Sequence, residues 1–354
     1  MDKSTINEKI AWLLDLNQHH SEEFMRTRPL RQLYRVKHPT EITTFECMDG
    51  RLNIPTMTRM PLGIIRPYRN VGGYFDLGWP LLGEQLKDWV EYGIRKGRKS
   101  LIIATYHYSK GDPHRGCAGF AYNREAAVRF TINFHAQVNR FFGRDNQVVF
   151  PIVVGIETDT DSLIFHPQDP NANNVIACCD ITSDAPEYLF EIIRALYPDM
   201  DKCICSDILP LMQGNIAHIR EVKEKGRDLT DMKHKEWLLL VGGGADWLHV
   251  PNTALIVGPH DPDLSKPIIK AIGIIENNMK SGQIKNDGFL ILSSVPFKED
   301  GIDKNRAREK ANFFRSYVRE IIKNNYPKLL SKAKFIAAVI DEHTRRIEQI
   351  SENY

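Results

Sequence analysis

Apolar residues in this chain switch between two spacings. Ile6, Ile10, Leu13 and Leu14, with Asn17, recur at three- and four-residue intervals, which predicts a short amphipathic helix over residues 4–18. Thr43–Met48 is a strand-forming run ending before Gly50, and Leu62–Ile65 is predicted as another, stopped by Pro67. Leu82, Leu86, Trp89, Val90 and Ile94 set out a helix closed by Gly97. Leu101–Tyr106 has the unbroken apolar character of a buried strand, and Arg124–Phe142 the period of a long helix. Val148–Ile156 is a strand, and Ser162–Phe165 returns beside it after a turn at Thr158–Asp161. Strands alternating with helices predict an α/β fold, a mainly parallel sheet flanked by helices.

The second half repeats this order, which reads as an internal duplication. Trp237–Val241 runs into Gly242–Gly244, and Ala254–Val257 is followed by Gly258 and Pro259, much as Ile65 is followed by Arg66 and Pro67. A helix starts at Pro267–Ile275, a strand at Phe289–Leu292 and a long helix at Lys304–Ile322. Phe335–Ile340, a polar turn and Ile347–Ile350 then echo Val148–Phe165. The pattern divides the chain into an N-terminal helical arm (1–40), a first α/β domain (41–220) and a second (221–354). Residues 167–235, with Pro170, Pro186, Pro198 and the charged run Arg220–Lys235, connect the halves.

Charge narrows the choice of partner. With 47 Lys and Arg against 45 Asp and Glu, the net charge of +2 favours neither nucleic acid nor a membrane surface. The basic stretch Arg26–Lys37 reads as a solvated or packing face. The first twenty residues, with Asp2, Lys3, Glu8 and Lys9, do not read as a signal peptide, and no apolar run is long enough to predict a membrane span. The six cysteines, at 47, 117, 178, 179, 203 and 205, do not have the spacing of a disulfide-rich secreted scaffold. A reducing cytoplasm is the expected setting, where cysteines serve metals or catalysis.

Cys47-Met-Asp49-Gly-Arg51 is the sharpest local feature, although C-x-D-x-R alone arises by chance in about one chain of this composition in fifty. His107 closes the strand from Leu101, and Cys117 follows in the loop Ser-Lys-Gly-Asp-Pro-His114-Arg-Gly-Cys117. A catalytic zinc takes three protein ligands and keeps one position open, and two thiolates with one imidazole form an accepted set. In a parallel sheet the strand C-termini share one edge, so Cys47, His107 and Cys117 can converge there. Such a zinc lowers the pKa of its water from 15.7 to roughly 7, giving a hydroxide nucleophile at neutral pH. Asp49 can accept a hydrogen bond from that water, and Arg51 can pair with Asp49 and keep it ionised.

Cys47-x-Asp49-x-Arg51, with His and Cys some 60–70 residues later, resembles the signature of the β-class carbonic anhydrases. Arg69-Asn70-Val71 resembles that family's Arg-Asn-Val segment. The long loop from His107 to Cys117, and Val154-Gly-Ile-Glu-Thr-Asp159-Thr-Asp161, resemble the carboxysome-shell branch. The likeness covers roughly residues 41–354, with its specific motifs inside 47–161. It implies reversible hydration of carbon dioxide to bicarbonate on Zn2+, a second domain without metal ligands, homo-oligomers, and a link to the carboxysome shell or Rubisco in carbon fixation. It also implies a larger helical N-terminal domain, whereas about 40 residues precede the first core strand here. In the second half Gly242–Gly244 stands in place of Cys47 and Val295–Pro296 near the place of His107, and no cysteine follows residue 205, which rules out a second site of this type. Strand-end geometry and the long-loop branch select His107 as the imidazole ligand. The tighter His-x-x-Cys of common β-class enzymes would select His114, which otherwise lines the pocket.

Two other functions remain open on these residues: hydrolysis of carbonyl sulfide or carbon disulfide on the same zinc, and a non-catalytic zinc protein in which Asp49 closes the fourth position. Cys178-Cys179 and Cys203-x-Cys205 lack the two-residue spacing of metal sites and read as buried thiols. Gly242-Gly-Gly244 with Asp246 lacks a phosphate-loop pattern, and Asp159 and Asp161 suit a turn better than an acid–base pair.

Overall fold

The computed structural model describes residues 4–143, 147–227, 232–245 and 250–351. Helix α1 (Ile6–Arg26) starts from a capping box in which Thr5 and Glu8 exchange bonds, and it runs well past the predicted end at residue 18. After Thr27 the basic stretch forms α2 (Arg28–Lys37), where Arg31 is buried with its guanidinium 3.6 Å from the Phe24 ring centre. The first sheet then takes shape through β1 (Glu41–Cys47), α3 (Ile54–Met57), β2 (Ile65–Asn70), α4 (Pro80–Arg95), β3 (Ser100–Tyr108), α5 (Arg124–Phe142), β4 (Val149–Glu157), β5 (Ser162–Phe165) and β6 (Ile176–Ala177). Helices α6 (Pro186–Leu196) and α7 (Lys202–Lys225) follow. The second sheet comprises β7 (Leu238–Gly242), β8 (Ala254–Val257), α8 (Ser265–Lys280), β9 (Phe289–Phe297), α9 (Ile302–Asn325), β10 (Ala333–Asp341) and β11 (Ile347–Gln349). Among the described residues, no helix is long and apolar enough to cross a membrane.

The two sheets share one topology. The first is ordered β2-β1-β3-β4-β5-β6 and the second, read from its opposite end, β8-β7-β9-β10-β11. In each, three parallel pairings are followed by an antiparallel return, β4 to β5 in the first and β10 to β11 in the second, and the first sheet adds one further antiparallel strand, β6. This is the duplication expected from the repeated pattern. Every residue of β1 and β3 is buried, as befits parallel strands covered on both faces.

Three expectations change. The second strand lies at Ile65–Asn70 rather than Leu62–Ile65, and Pro67 sits inside it, paired with Thr44. Strand β2 is the edge of its sheet, where proline's missing N–H costs no ladder bond on the open side. The stretch 167–235 is more than a connection, because α7 packs against β5 of the first sheet and α6 packs against α7. The boundary expected between 220 and 221 falls inside α7, which ends at Lys225 despite Pro210 in its interior.

The halves interlock. Ile256 N–H donates to the Met48 carbonyl (3.0 Å), Gly258 N–H to that of Arg69 (2.8 Å) and Asn252 N–H to that of Gly50 (2.7 Å). Helix α1 lies on the second half: Asn17 donates to the Arg345 carbonyl and accepts from Ile347 N–H, and Trp12 meets Trp237. On the first half, fully buried Asn215 of α7 accepts from Leu163 N–H (3.0 Å) and donates to the carbonyls of Met57 (3.0 Å) and Asp161 (2.9 Å).

Two predictions follow from these anchors. Asn215→Leu fills the volume but strands one N–H and two carbonyls in the interior, and should cost on the order of 3 kcal/mol in urea unfolding; a loss below about 0.5 kcal/mol would show that the anchor carries no weight. Asp161 is buried, which pushes its carboxyl up, but bonds from His218 and the Arg227 guanidinium prevail and hold it below 3.8. A depressed carboxyl stabilises the fold above its unfolded value and loses that contribution as pH falls through the folded one. Asp161→Asn should therefore lower stability at pH 7 and weaken its fall below about pH 4, measured by thermal unfolding against pH.

Candidate metal centre

Cys47 is the last residue of β1, paired with Asn70 of β2 two residues beyond the end of the β1–β3 ladder. His107 stands near the end of β3, opposite Ile156 of β4. Cys117 follows a loop whose regular part is one 3-10 turn, Pro113–Arg115, and it caps a second such turn at Ala118–Phe120. The donor atoms of Cys47, His107 and Cys117 lie within 4.8 Å of one another, all three residues are buried, and the two sulfurs are 3.8 Å apart. Close approach of backbones makes room for this: a Cβ on Gly119 would stand 2.5 Å from the Gly72 Cα.

The donor set fits a zinc ion. Neither ring nitrogen of His107 has a hydrogen-bond partner, although the side chain is 1% exposed. Such orphaned buried polar atoms are rare in native proteins and call for a ligand. The cysteines tell the same story. Hydrogen bonding to Cys117 and burial push the Cys47 thiol well up, while the bond from Cys47 lowers Cys117. A metal ion satisfies both sulfurs as thiolates together with the imidazole.

Asp49 and Arg51 flank this group. Arg51 Nε and a terminal nitrogen donate to the two Asp49 oxygens at 2.9 and 2.5 Å, and Arg51 N–H adds a bond of 2.9 Å. Burial pushes the Asp49 carboxyl up, but the Arg51 charge and its bonds outweigh this and hold it well below the usual carboxylate range. Asp49 Oδ2 faces His107 Nε2 at 3.8 Å. From the Arg-Asn-Val segment, Arg69 donates to the Asp49 carbonyl (2.9 Å) and pairs with buried Glu46. Beside the centre lies a cavity of about 330 Å³, lined by His107 and Cys117 and by Lys110, Tyr122 and Arg124.

His114 is exposed and packs edge-on against Tyr122, away from the three donors. Cys178 and Cys205 are buried, Cys179 and Cys203 half-buried, and all four are free. Asp159 and Asp161 occupy the β4–β5 turn. Asp246 lies outside the described residues.

Two residues absent from the sequence reading complete the site. His234 and Glu236 precede β7, and their donor atoms come within 4.8 Å of one another and of Asp49. Arg51 donates to His234 Nε2 (3.3 Å) and to the Met232 carbonyl (3.0 Å), while His234 Nδ1–H donates to Glu236 (2.9 Å). No spacing motif links residue 51 to residue 234, so only the fold reveals this pair.

Among the described residues, the second sheet holds no equivalent group of donors. Matching the β10–β11 return to the β4–β5 return places Pro296, opposite Ile340, where His107 stands opposite Ile156. Continuing the β7–β9 register one residue past Gly242 puts Gly243 at the place of Cys47. Beyond it, a Cβ on Gly244 would stand 3.2 Å from Pro296 and 3.5 Å from Ile340.

Residues 36–185 match the family described as Carboxysome Shell Carbonic Anhydrase, catalytic domain. Among curated proteins, the chain is 25% identical over 267 residues to the carboxysome shell carbonic anhydrase of Parasynechococcus marenigrum, covering 64% of this chain and 45% of that protein. It is 27% identical over 248 residues to that of Prochlorococcus marinus (61% and 47%) and 30% identical over 152 residues to that of Hydrogenovibrio crunogenus (38% and 27%). The chain thus spans less than half the length of each relative. The matched segment contains Cys47, Asp49, Arg51, His107 and Cys117. Residues 36–185 are accordingly similar to the catalytic domains of the carboxysome shell carbonic anhydrases.

Proposed function

We propose that this chain is a zinc-dependent carbonic anhydrase that interconverts carbon dioxide and bicarbonate, with Cys47, His107 and Cys117 as the metal ligands. The observation that carries this is the convergence of two thiols and an otherwise unpartnered imidazole beside an Asp49–Arg51 pair. Zinc bound there would supply the Lewis acidity that makes water a nucleophile near neutral pH.

The remaining chemistry belongs to the chain. Asp49, kept ionised by Arg51, is an acceptor only, so it can take a hydrogen bond from a water entering the centre and fix which lone pair faces the substrate. Both Asp49 oxygens are engaged by Arg51, which holds the carboxylate back from the ligand position and opposes a closed site. His234, oriented by Glu236, and the Met232 carbonyl hold Arg51 from the far side. In the adjoining cavity, Lys110 and Arg124 give bicarbonate a cationic approach, Arg124 standing 3.7 Å from the centre of the Tyr108 ring. Carbon dioxide is small and apolar and asks for little beyond this orientation. The names of the relatives support placement in a carboxysome as part of the same proposal.

Two measurements test it. The purified chain should carry about one zinc and hydrate carbon dioxide in stopped-flow assays, whereas Cys47→Ala should lose the metal and at least about 10³-fold in activity. A Cys47→Ala protein with full activity would end the proposal. His234→Ala should keep its zinc and the parent KM while kcat falls roughly tenfold, because a group that steadies Arg51 acts mainly in the transition state; an unchanged kcat would remove His234 from the site.

A further inference from the structure

We infer that Asp159, in the turn between β4 and β5, is a positioning residue that fixes the loop carrying Cys117 and so governs how firmly the centre keeps its metal. The inference rests on the zinc reading above.

The three ligands are not held alike. Cys47 and His107 sit in strands, Cys47 paired with Asn70 of β2 and His107 with Ile156 of β4. Cys117 has no ladder, and the loop from Ser109 to Gly116 must be held from outside. One carboxylate supplies most of that hold. Asp159 Oδ2 accepts from Ser109 Oγ (2.8 Å), Gly111 N–H (2.9 Å) and an Arg115 terminal nitrogen (3.1 Å), and Oδ1 accepts from Arg115 Nε (2.8 Å). Ser109 Oγ in turn accepts from Asp112 N–H (3.0 Å), which ties the loop's next turn to the same point.

The neighbours of Asp159 point the same way. Glu157 accepts from Lys110 N–H (3.2 Å), and Thr158 Oγ lies 3.3 Å from the Arg115 carbonyl. At the other end of the loop, the Gly116 carbonyl accepts from Arg51 (3.2 Å). The loop is therefore suspended between Asp159 and Arg51, and Cys117 is the next residue. Loss of the Asp159 end would free both the sulfur and the carbonyl that steadies Arg51. Asparagine cannot replace the carboxylate, because one of its two ends is an NH2 donor and every partner here is itself a donor.

The test compares zinc retention and backbone exchange in three variants. Asp159→Asn should release zinc to a chelator roughly 10–100-fold faster than the parent, the range seen when a group supporting a metal ligand is removed. Hydrogen exchange at the amides of residues 109–117 should rise in the same protein. Ser109→Ala, which deletes a single contact, should fall between parent and Asp159→Asn and carries the test if the latter does not fold. Asp207→Asn breaks the buried bonds to Thr40 and His38, remote from the loop, and controls for general loss of stability. At an equal fall in Tm it should release zinc at the parent rate.

Parent-like zinc release in Asp159→Asn, or equally fast release in Asp207→Asn, overturns the inference and leaves the carbonic anhydrase reading standing. A parent protein that takes up no zinc overturns that reading itself, and the inference with it.

Discussion

Arg51 is the group on which the rest of the structure turns. Its side chain is 2% exposed, and an unpaired guanidinium at such depth would cost several kcal/mol in lost hydration. Three segments distant in sequence meet that demand. Asp49 takes two of its bonds, the Gly116 carbonyl of the His–Cys loop a third, and Met232 and His234 of the second half the remainder. Satisfying one cation thus fixes the angle of the carboxylate, the end of the ligand loop and the seat of the second half together. A pair buried this well is weak evidence for stability, since an apolar substitute could pack as tightly. It does place a permanent negative charge beside the proposed metal ligands, which an apolar substitute could not.

The same constraint explains why a sheet without metal ligands is retained as a working part. Gly243 and Pro296 stand where a thiol and an imidazole stand in the first sheet, and Pro296 and Ile340 crowd the ground near Gly244. That exchange removes donors and adds apolar contact. The edge of the second sheet still supplies backbone bonds to Met48, Gly50 and Arg69, the segment that shapes the Cys47 turn. The approach to β7 supplies Met232 and His234. One half holds the ligands and the other closes the ring of hydrogen bonds around the arginine beside them.

Much of this was legible in the sequence because strand ends are legible. A strand-forming run that ends at or beside Cys47 or His107 marks the edge where a parallel sheet gathers its reactive groups, and the C-x-D-x-R spacing places Asp49 and Arg51 in the turn beyond. The duplication was visible for the same reason, as strand and helix periods recur in one order. Strand β2 is shifted from its predicted place because Pro67 has the look of a stop, although an edge strand tolerates proline. In the stretch 167–235 the prolines mask the helical period that α6 and α7 follow. His234 left no trace, since its role exists only once a residue 183 positions away is folded against it. Asp159 was read as turn chemistry, and it does sit in a turn; what the sequence hid is that the bonds of this carboxylate go to another loop.

The division between strand-borne and loop-borne ligands also favours His107 over His114 in the proposed site. A ligand on a strand inherits its position from the sheet, and one on a loop must be held by side chains that cost conformational entropy to order. His107 takes the first route, buried and opposite Ile156, while His114 stands in solvent against Tyr122. With one thiol and the imidazole on neighbouring strands, only Cys117 needs a loop, and the loop can be long because its two ends are tied separately. A site built from His114 and Cys117 would place two of three ligands on that loop and leave the buried His107 nitrogens without a partner. The orphaned imidazole, more than any motif, is what points to the strand.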